Sequence, residues 1–337
     1  MTMNLAAGSS WQPPQDWTRI IAIDAHTGGE PLRIFIGGYP EPEGATILDR
    51  RRSCAAQLDS LRTATVWEPR GHRDMYGCII TPPERPDSHF GVIFTHNEGY
   101  SSMCGHGIIA VTTVALATGM LPRREGENEI RIDSPAGLIV AWAEVAEGRV
   151  GEVRFHCVPS FPTLLDGCVS VPGLGDVHFD IAYGGAFYAF VDAERLGLET
   201  TAANAATLVE AGSRIKAALV DHPAITHPVD AELAFLYGTI FTGPPQRVDS
   251  DTRNVCVFAD GELDRSPTGT GVAARLAIAA ARGELDVGER RVYESIIGSQ
   301  FSGRISGEID YGGASAVIPE VCGEAYICGR QEFLLDP

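Results

Sequence analysis

The chain has 337 residues, 44% of them hydrophobic and 21% charged, a composition that fits a folded, soluble protein of about two ordinary domains. Its 26 Lys and Arg stand against 44 Asp and Glu, a net charge of -18, which repels phosphate backbones and anionic headgroups and argues against nucleic-acid or membrane partners. Eight cysteines are scattered without a C-x-x-C pair, which argues against a disulfide framework or zinc ribbon and favours free thiols and a cytoplasmic location.

Residues 1–17 carry no basic segment leading into an apolar run, so they read as a loose tail rather than a signal peptide. Short β-branched or aromatic runs follow, bounded by turn residues: TRIIAID (18–24), LRIFIGG (32–38), YGCIITP (76–82) and FGVIFTH (90–96). Residues 105–118, GHGIIAVTTVALAT, open on glycines and are apolar nearly all round, as expected of a helix wrapped by strands. EIRIDSPAG (129–137), GLIVAWAEV (137–145) and VGEVRFH (150–156) are further strands, and the prolines of VPSFPTLLDG (158–167) suggest a crossing linker. Beyond it lie the strand FYAFVDA (187–193), an exposed amphipathic helix within 201–222 and the strand NVCVFADG (254–261). Residues 269–282, GTGVAARLAIAAAR, make a second apolar helix.

The two apolar helices begin alike. MCGHG starts at Met103 and PTGTG at Pro267, so Cys104 aligns with Thr268 at a period of 268 − 104 = 164 residues. That repeat predicts two related α/β halves across a pseudo-twofold axis, with the helix N-termini meeting at a cleft. The first half is expected over 18–157, rejoined by 319–337, and the second over 158–318.

Each helix start offers free N–H groups and about half a positive charge, a ready carboxylate site. The same field predicts a Cys104 thiol lowered from about 8.5. A ligand carboxylate held there puts the α-carbon between residues 104 and 268. A thiolate on one face can then take the α-proton while the N–H groups stabilise the developing charge. Two thiols would racemise. A threonine hydroxyl is too weak a base to share that work unaided, so Thr268 is expected to contact the substrate, close off the second face or cap its helix. A phosphate loop is excluded because GTG (269–271) lacks the G-x-x-x-x-G-K-[ST] spacing.

IDAHTGGEP (23–31), RGHRDMYG (70–77), MCGHG (103–107), DSPAG (133–137), YGGAFYAFVD (183–192), DRSPTGTG (264–271) and SIIGSQFSG (295–303) together resemble the proline racemase family, over nearly the whole chain. The resemblance implies an α/β (α+β) fold of two pseudo-symmetric diaminopimelate-epimerase-like domains, each a strand-rich barrel around a buried helix, with the active site between them. It also implies acid–base chemistry on proline-like amino acids, with no metal or organic cofactor. Cys104 matches the catalytic cysteine, and Gly105, His106, Gly269 and Thr270 match positions whose amides receive the carboxylate. Asp264 matches an acid that binds the substrate's secondary amine.

Racemases and epimerases of this family carry cysteine at both catalytic positions. Thr268 at the second resembles the trans-3-hydroxy-L-proline dehydratase branch. The expected reaction is loss of the 3-hydroxyl as water to give Δ1-pyrroline-2-carboxylate, by a cytoplasmic enzyme that is a homodimer by base rate. The rivals are a proline racemase or 4-hydroxyproline 2-epimerase, a non-catalytic amino-acid-binding protein and, more remotely, a cysteine hydrolase. His26 and His72 read first as structural partners, and Ser102 and Ser134 as loop or turn formers.

Overall fold

The computed structural model describes residues 3–337; residues 1 and 2 of the expected tail lie outside them. The tail contains one exposed turn of helix, α1 (Leu5–Ser9), capped by Asn4. In the first half, β1 (Thr18–Thr27) runs antiparallel to β2 (Glu30–Gly37), and β2 runs parallel to β3 (Tyr76–Thr81). Helix α2 (Ile47–Ser53) passes through a π turn into α3 (Asp59–Val66) between those two strands. β4 (Phe90–His96) pairs with β3, with the two-residue β5 (Gly99–Tyr100) and, in parallel, with β6 (Gly126–Ser134). α4 (Gly105–Ala117) lies between β5 and β6 in sequence, and β7 (Gly137–Ala146) and β8 (Arg149–His156) extend the ribbon antiparallel.

The second half takes the same steps. β9 (Phe161–Val171), β10 (Gly175–Tyr183) and β11 (Phe187–Asp192) are successive antiparallel neighbours. After α5 (Ala205–Leu219), β12 (Leu236–Gly243) lies parallel to β11 and antiparallel to β13 (Thr252–Phe258). β14 (Glu262–Leu263) is the counterpart of β5, and α6 (Gly269–Arg282) that of α4. β15 (Arg290–Glu294) runs parallel to β13, and β16 (Gln300–Tyr311) and β17 (Ala314–Gly323) follow antiparallel. β8 pairs with β17 and joins the two ribbons, while β18 (Ala325–Leu335) lies along β1 as β9 lies along β10.

Strand alternation explains the buried helices. On β7, Ile139, Ala141, Ala143 and Val145 point inward while Glu144 and Ala146 are exposed, the period-two pattern of a sheet with one wet face. Inside that wall every residue of α4 from Gly105 to Leu116 is buried. From Gly269 to Ala279, α6 is covered likewise except for half-buried Arg275, which bonds to the Thr252 hydroxyl and the Asn254 side-chain carbonyl, both at 2.9 Å.

Two local readings differ from the sequence-based expectation. Most of 158–167 is strand rather than linker, because β9 is an edge strand and Pro162 falls at a register shift opposite Ala182, where a missing N–H is tolerated. The α2–α3 segment is a helical region the sequence reading passed over. Its signal was a Thr-x-x-Asp capping box, with the Asp49 N–H donating to the Thr46 hydroxyl and the Thr46 N–H to the Asp49 carboxylate.

Candidate active site

The starts of α4 and α6 touch. A Cβ added to Gly105 would stand 2.6 Å from the Gly269 Cα, and one added to Gly269 would stand 2.7 Å from the Gly105 Cα. Only glycine permits that approach, which aims two sets of unpaired helix amides at one point. A small cavity there is lined by Cys104, Gly105, His106, Asp264, Thr268, Gly269 and Thr270 together. Tyr76, Tyr188, Tyr237, Cys256 and Phe258 complete much of its wall.

Cys104 is extended (φ −144°, ψ 112°) and caps α4, its Sγ accepting the Gly107 N–H at 3.3 Å. The His106 ring lies beside it, Nδ1 3.2 Å from Sγ, with Nε2 3.3 Å from the Pro31 carbonyl. Burial pushes the imidazole down to about 3, so the ring is neutral. With Nε2–H donating to Pro31, Nδ1 is free to accept from the thiol. Sequence reasoning assigned His106 only through its backbone; spacing along the chain carries no sign that the ring folds back onto Cys104.

The expected lowering of the Cys104 thiol is overturned. Burial pushes it well above the ordinary value, the Gly107 N–H opposes this, and the Asp264 and Glu30 carboxyls push it further up. Desolvation therefore outweighs the helix terminus, and the resting group is a thiol. Glu30 was not singled out beforehand. It is fully buried, its Oε2 accepting the Arg265 N–H at 2.8 Å, and burial followed by the Asp264 charge raises it well above the usual carboxyl range.

The second helix start is built differently. Asp264 is only 4% exposed; one of its oxygens takes the Ser266 N–H at 2.7 Å and the other the Thr268 hydroxyl at 2.8 Å. Burial raises its carboxyl to about 6 against these hydrogen bonds. Thr268 occupies the cap position of α6 without making the capping bond that its residue type suggested. It sits at φ 65°, ψ 94°, an outlier for a β-branched residue that costs on the order of 1–3 kcal/mol. The bond to Asp264 compensates, since a hydrogen bond to a charged group contributes about 1.5–3 kcal/mol. Cys256, on β13, lines the same cavity; burial first and Asp264 next hold it as a thiol. The Thr270 hydroxyl pairs with the Tyr188 hydroxyl at 2.7 Å.

The other residues considered lie outside the cavity. The His26 ring accepts the Gly29 N–H and sits 5.4 Å from the Tyr326 ring, and exposed His72 faces the Arg73 carbonyl. Ser102 donates to the Gly185 carbonyl, and Ser134 closes its own turn on the Gly137 carbonyl. Among the described residues no group of three His, Cys, Asp or Glu side chains is placed to hold a metal ion.

Comparison with known proteins agrees with this architecture. A family model described as proline racemase matches residues 22–337. The trans-3-hydroxy-L-proline dehydratase of Colwellia psychrerythraea is 47% identical, over 100% of this chain and 97% of its own. The human trans-3-hydroxy-L-proline dehydratase is also 47% identical, over 96% and 94%. The crystal structure of a hydroxyproline epimerase from Agrobacterium vitis with bound trans-4-hydroxy-L-proline superposes with a TM-score of 0.91 at 32% identity, over 96% of this chain and 93% of its own. A repeated α/β half, two glycine-opened buried helices and a cysteine between them thus have one common explanation: the chain belongs to the proline racemase family.

Proposed function

We propose that this chain is a trans-3-hydroxy-L-proline dehydratase, working in the cytoplasm without a cofactor. The observation that carries the reading is Thr268: the second helix start presents a hydroxyl already donated to Asp264, where two-sided chemistry needs a second base. Relatives 47% identical over essentially their whole length bear that name, which supports the dehydratase over the epimerase reading.

The substrate carboxylate sits on the amides of Gly105, His106, Gly269 and Thr270, and the ring ammonium faces Asp264. That ammonium brings a positive charge into the cleft. At about 4 Å and an effective dielectric near 20 it favours a thiolate by ~4 kcal/mol, about a thousandfold, which offsets much of the burial that keeps Cys104 protonated. In the trans isomer the 3-hydroxyl shares a ring face with the α-hydrogen, so one sulfur on that face starts a syn elimination. Loss of water leaves a cyclic enamine that tautomerises to Δ1-pyrroline-2-carboxylate. The two half-domains, 18–157 with 319–337 and 158–318, each contribute one helix start to this site.

The test is incubation with trans-3-hydroxy-L-proline, trans-4-hydroxy-L-proline and L-proline separately, followed by proton NMR. The expected result is the cyclic imine from the first substrate alone. Inversion of the 4-hydroxy compound without loss of water would establish an epimerase instead.

A further inference from the structure

Elimination leaves one task unassigned, the proton that the departing 3-hydroxyl must collect. Beside Cys104 stands a chain of three hydroxyls. Tyr76, at the start of β3, packs edge-on against His106 with ring centroids 4.9 Å apart. Its hydroxyl donates to the Ser101 Oγ at 2.7 Å and lies 3.0 Å from the Tyr237 hydroxyl. All three residues are buried, and both tyrosines line the same cavity as the thiol. Rotation about the C–O bonds reverses the direction of such a chain without moving a heavy atom, so the Tyr76 proton donated to Ser101 can be turned toward a ligand.

We infer that Tyr76 is the general acid for the reaction, donating its phenolic proton to the departing 3-hydroxyl while Ser101 and Tyr237 hold its oxygen in place. The Cys104 thiolate takes the α-proton, and the electrons of that C–H bond form the Cα=C3 double bond. The C3–O bond breaks, and its oxygen takes the Tyr76 proton and leaves as water. The new Cys104 thiol then returns its proton to the Tyr76 oxygen; as the product leaves, the thiolate takes back from solvent the proton it released when the substrate bound, restoring thiol and phenol. The electrostatics of the cleft fit this division. Burial pushes the Tyr76 phenol well above its ordinary value, so it keeps its proton until the leaving oxygen needs it. Burial raises the Cys104 thiol too, so it yields its proton only once the substrate's ammonium lies beside it.

This inference rests on the dehydratase reading, and wild-type protein separates the two: if it fails to dehydrate trans-3-hydroxy-L-proline, the functional reading falls first. With that control positive, Tyr76→Phe is compared with wild type on trans-3-hydroxy-L-proline and on trans-3-fluoro-L-proline, whose fluoride departs without a proton. Dehydration is expected to slow about 10²- to 10³-fold, the usual share of a general acid. Fluoride release is expected to stay within about tenfold of wild type, and α-deuterium is expected to enter recovered hydroxy substrate in deuterated water. Tyr237→Phe, which leaves Tyr76 its own proton, is expected to slow dehydration about tenfold, the worth of one supporting hydrogen bond. Near-normal dehydration by Tyr76→Phe overturns the inference. Equal losses on both substrates do so as well, because Tyr76 would then act only by positioning Cys104.

Discussion

At the start of α4 an extended Cys104 turns its sulfur onto the helix and takes the Gly107 N–H. At the start of α6, Thr268 holds a positive φ and turns its hydroxyl away from the helix onto Asp264. The glycines next to them touch each other and leave the same free amides in both halves. On the proposed reading, a repeated scaffold has its anion-holding helix starts twice and its mobile proton once. The proposed carboxylate-binding device comes from backbone and survives changes of side chain that spare the two glycines; the proposed base is a side chain, and only one half supplies it.

The most severe way to break the asymmetry is to remove its active side. Cys104→Ser replaces a polarisable thiol with a much weaker acid and is expected to lower kcat on the order of 10³- to 10⁴-fold, with KM little changed because the helix amides remain. Retained turnover would show that the sulfur is not the base. Gly105→Ala attacks what the halves share. Its methyl would meet Gly269 at 2.6 Å, so the helix starts must separate, with an expected 10²-fold loss in kcat/KM and about 1–3 kcal/mol of stability. An unchanged melting curve and activity would mean the contact is slack.

Asp264 sharpens the comparison through pH. On the proposed reading its carboxyl, raised to about 6 by burial, must be ionised to receive the ring ammonium. As pH falls through that value the group takes a proton, and kcat/KM, which reports the free enzyme, is expected to drop about tenfold per unit below it. In Asp264→Asn the level at neutral pH falls and this limb disappears; an unaltered limb would assign it to another group. The smallest effect is expected at Thr268→Val, which removes the hydroxyl but keeps the shape. Dehydration should stay within about tenfold, the worth of one hydrogen bond, whereas a collapse comparable to that of Cys104→Ser would make Thr268 a participant in proton transfer.

The repeat was legible because two glycine-opened apolar helices recur 164 residues apart (268 − 104), and glycine placement is written in the sequence. Cys104, Asp264 and the helix-start residues follow from the same motifs, and the cavity gathers them. What spacing could not convey is desolvation and cross-half packing. Helix-terminus reasoning alone predicts a thiolate, but the barrel wall that buries α4 makes the resting group a thiol. Thr268 fits a helix cap by residue type, yet its partner is chosen by a backbone twist that Ser266 and Asn254 brace through the Thr268 N–H and the Pro267 carbonyl. Tyr237 and Phe258 reach the cavity from β12 and β13, and the pairing that brings these strands to the site is tertiary. Pro162 misled in the opposite direction, since a proline that ends a central strand is harmless on an edge.

The central claim, one reactive face in a two-sided scaffold, is tested most directly by following the α-carbon of the wild-type protein's substrate in deuterated water. Protein is incubated with trans-3-hydroxy-L-proline, and the remaining amino acid is recovered before completion for its deuterium content and α-configuration. The account predicts the cyclic imine as product, with any deuterium in recovered substrate placed with retention. Recovered substrate with an inverted α-carbon would contradict it, because a second base, with Cys256 the other thiol on the cavity wall, would then be working on the face assigned to Thr268.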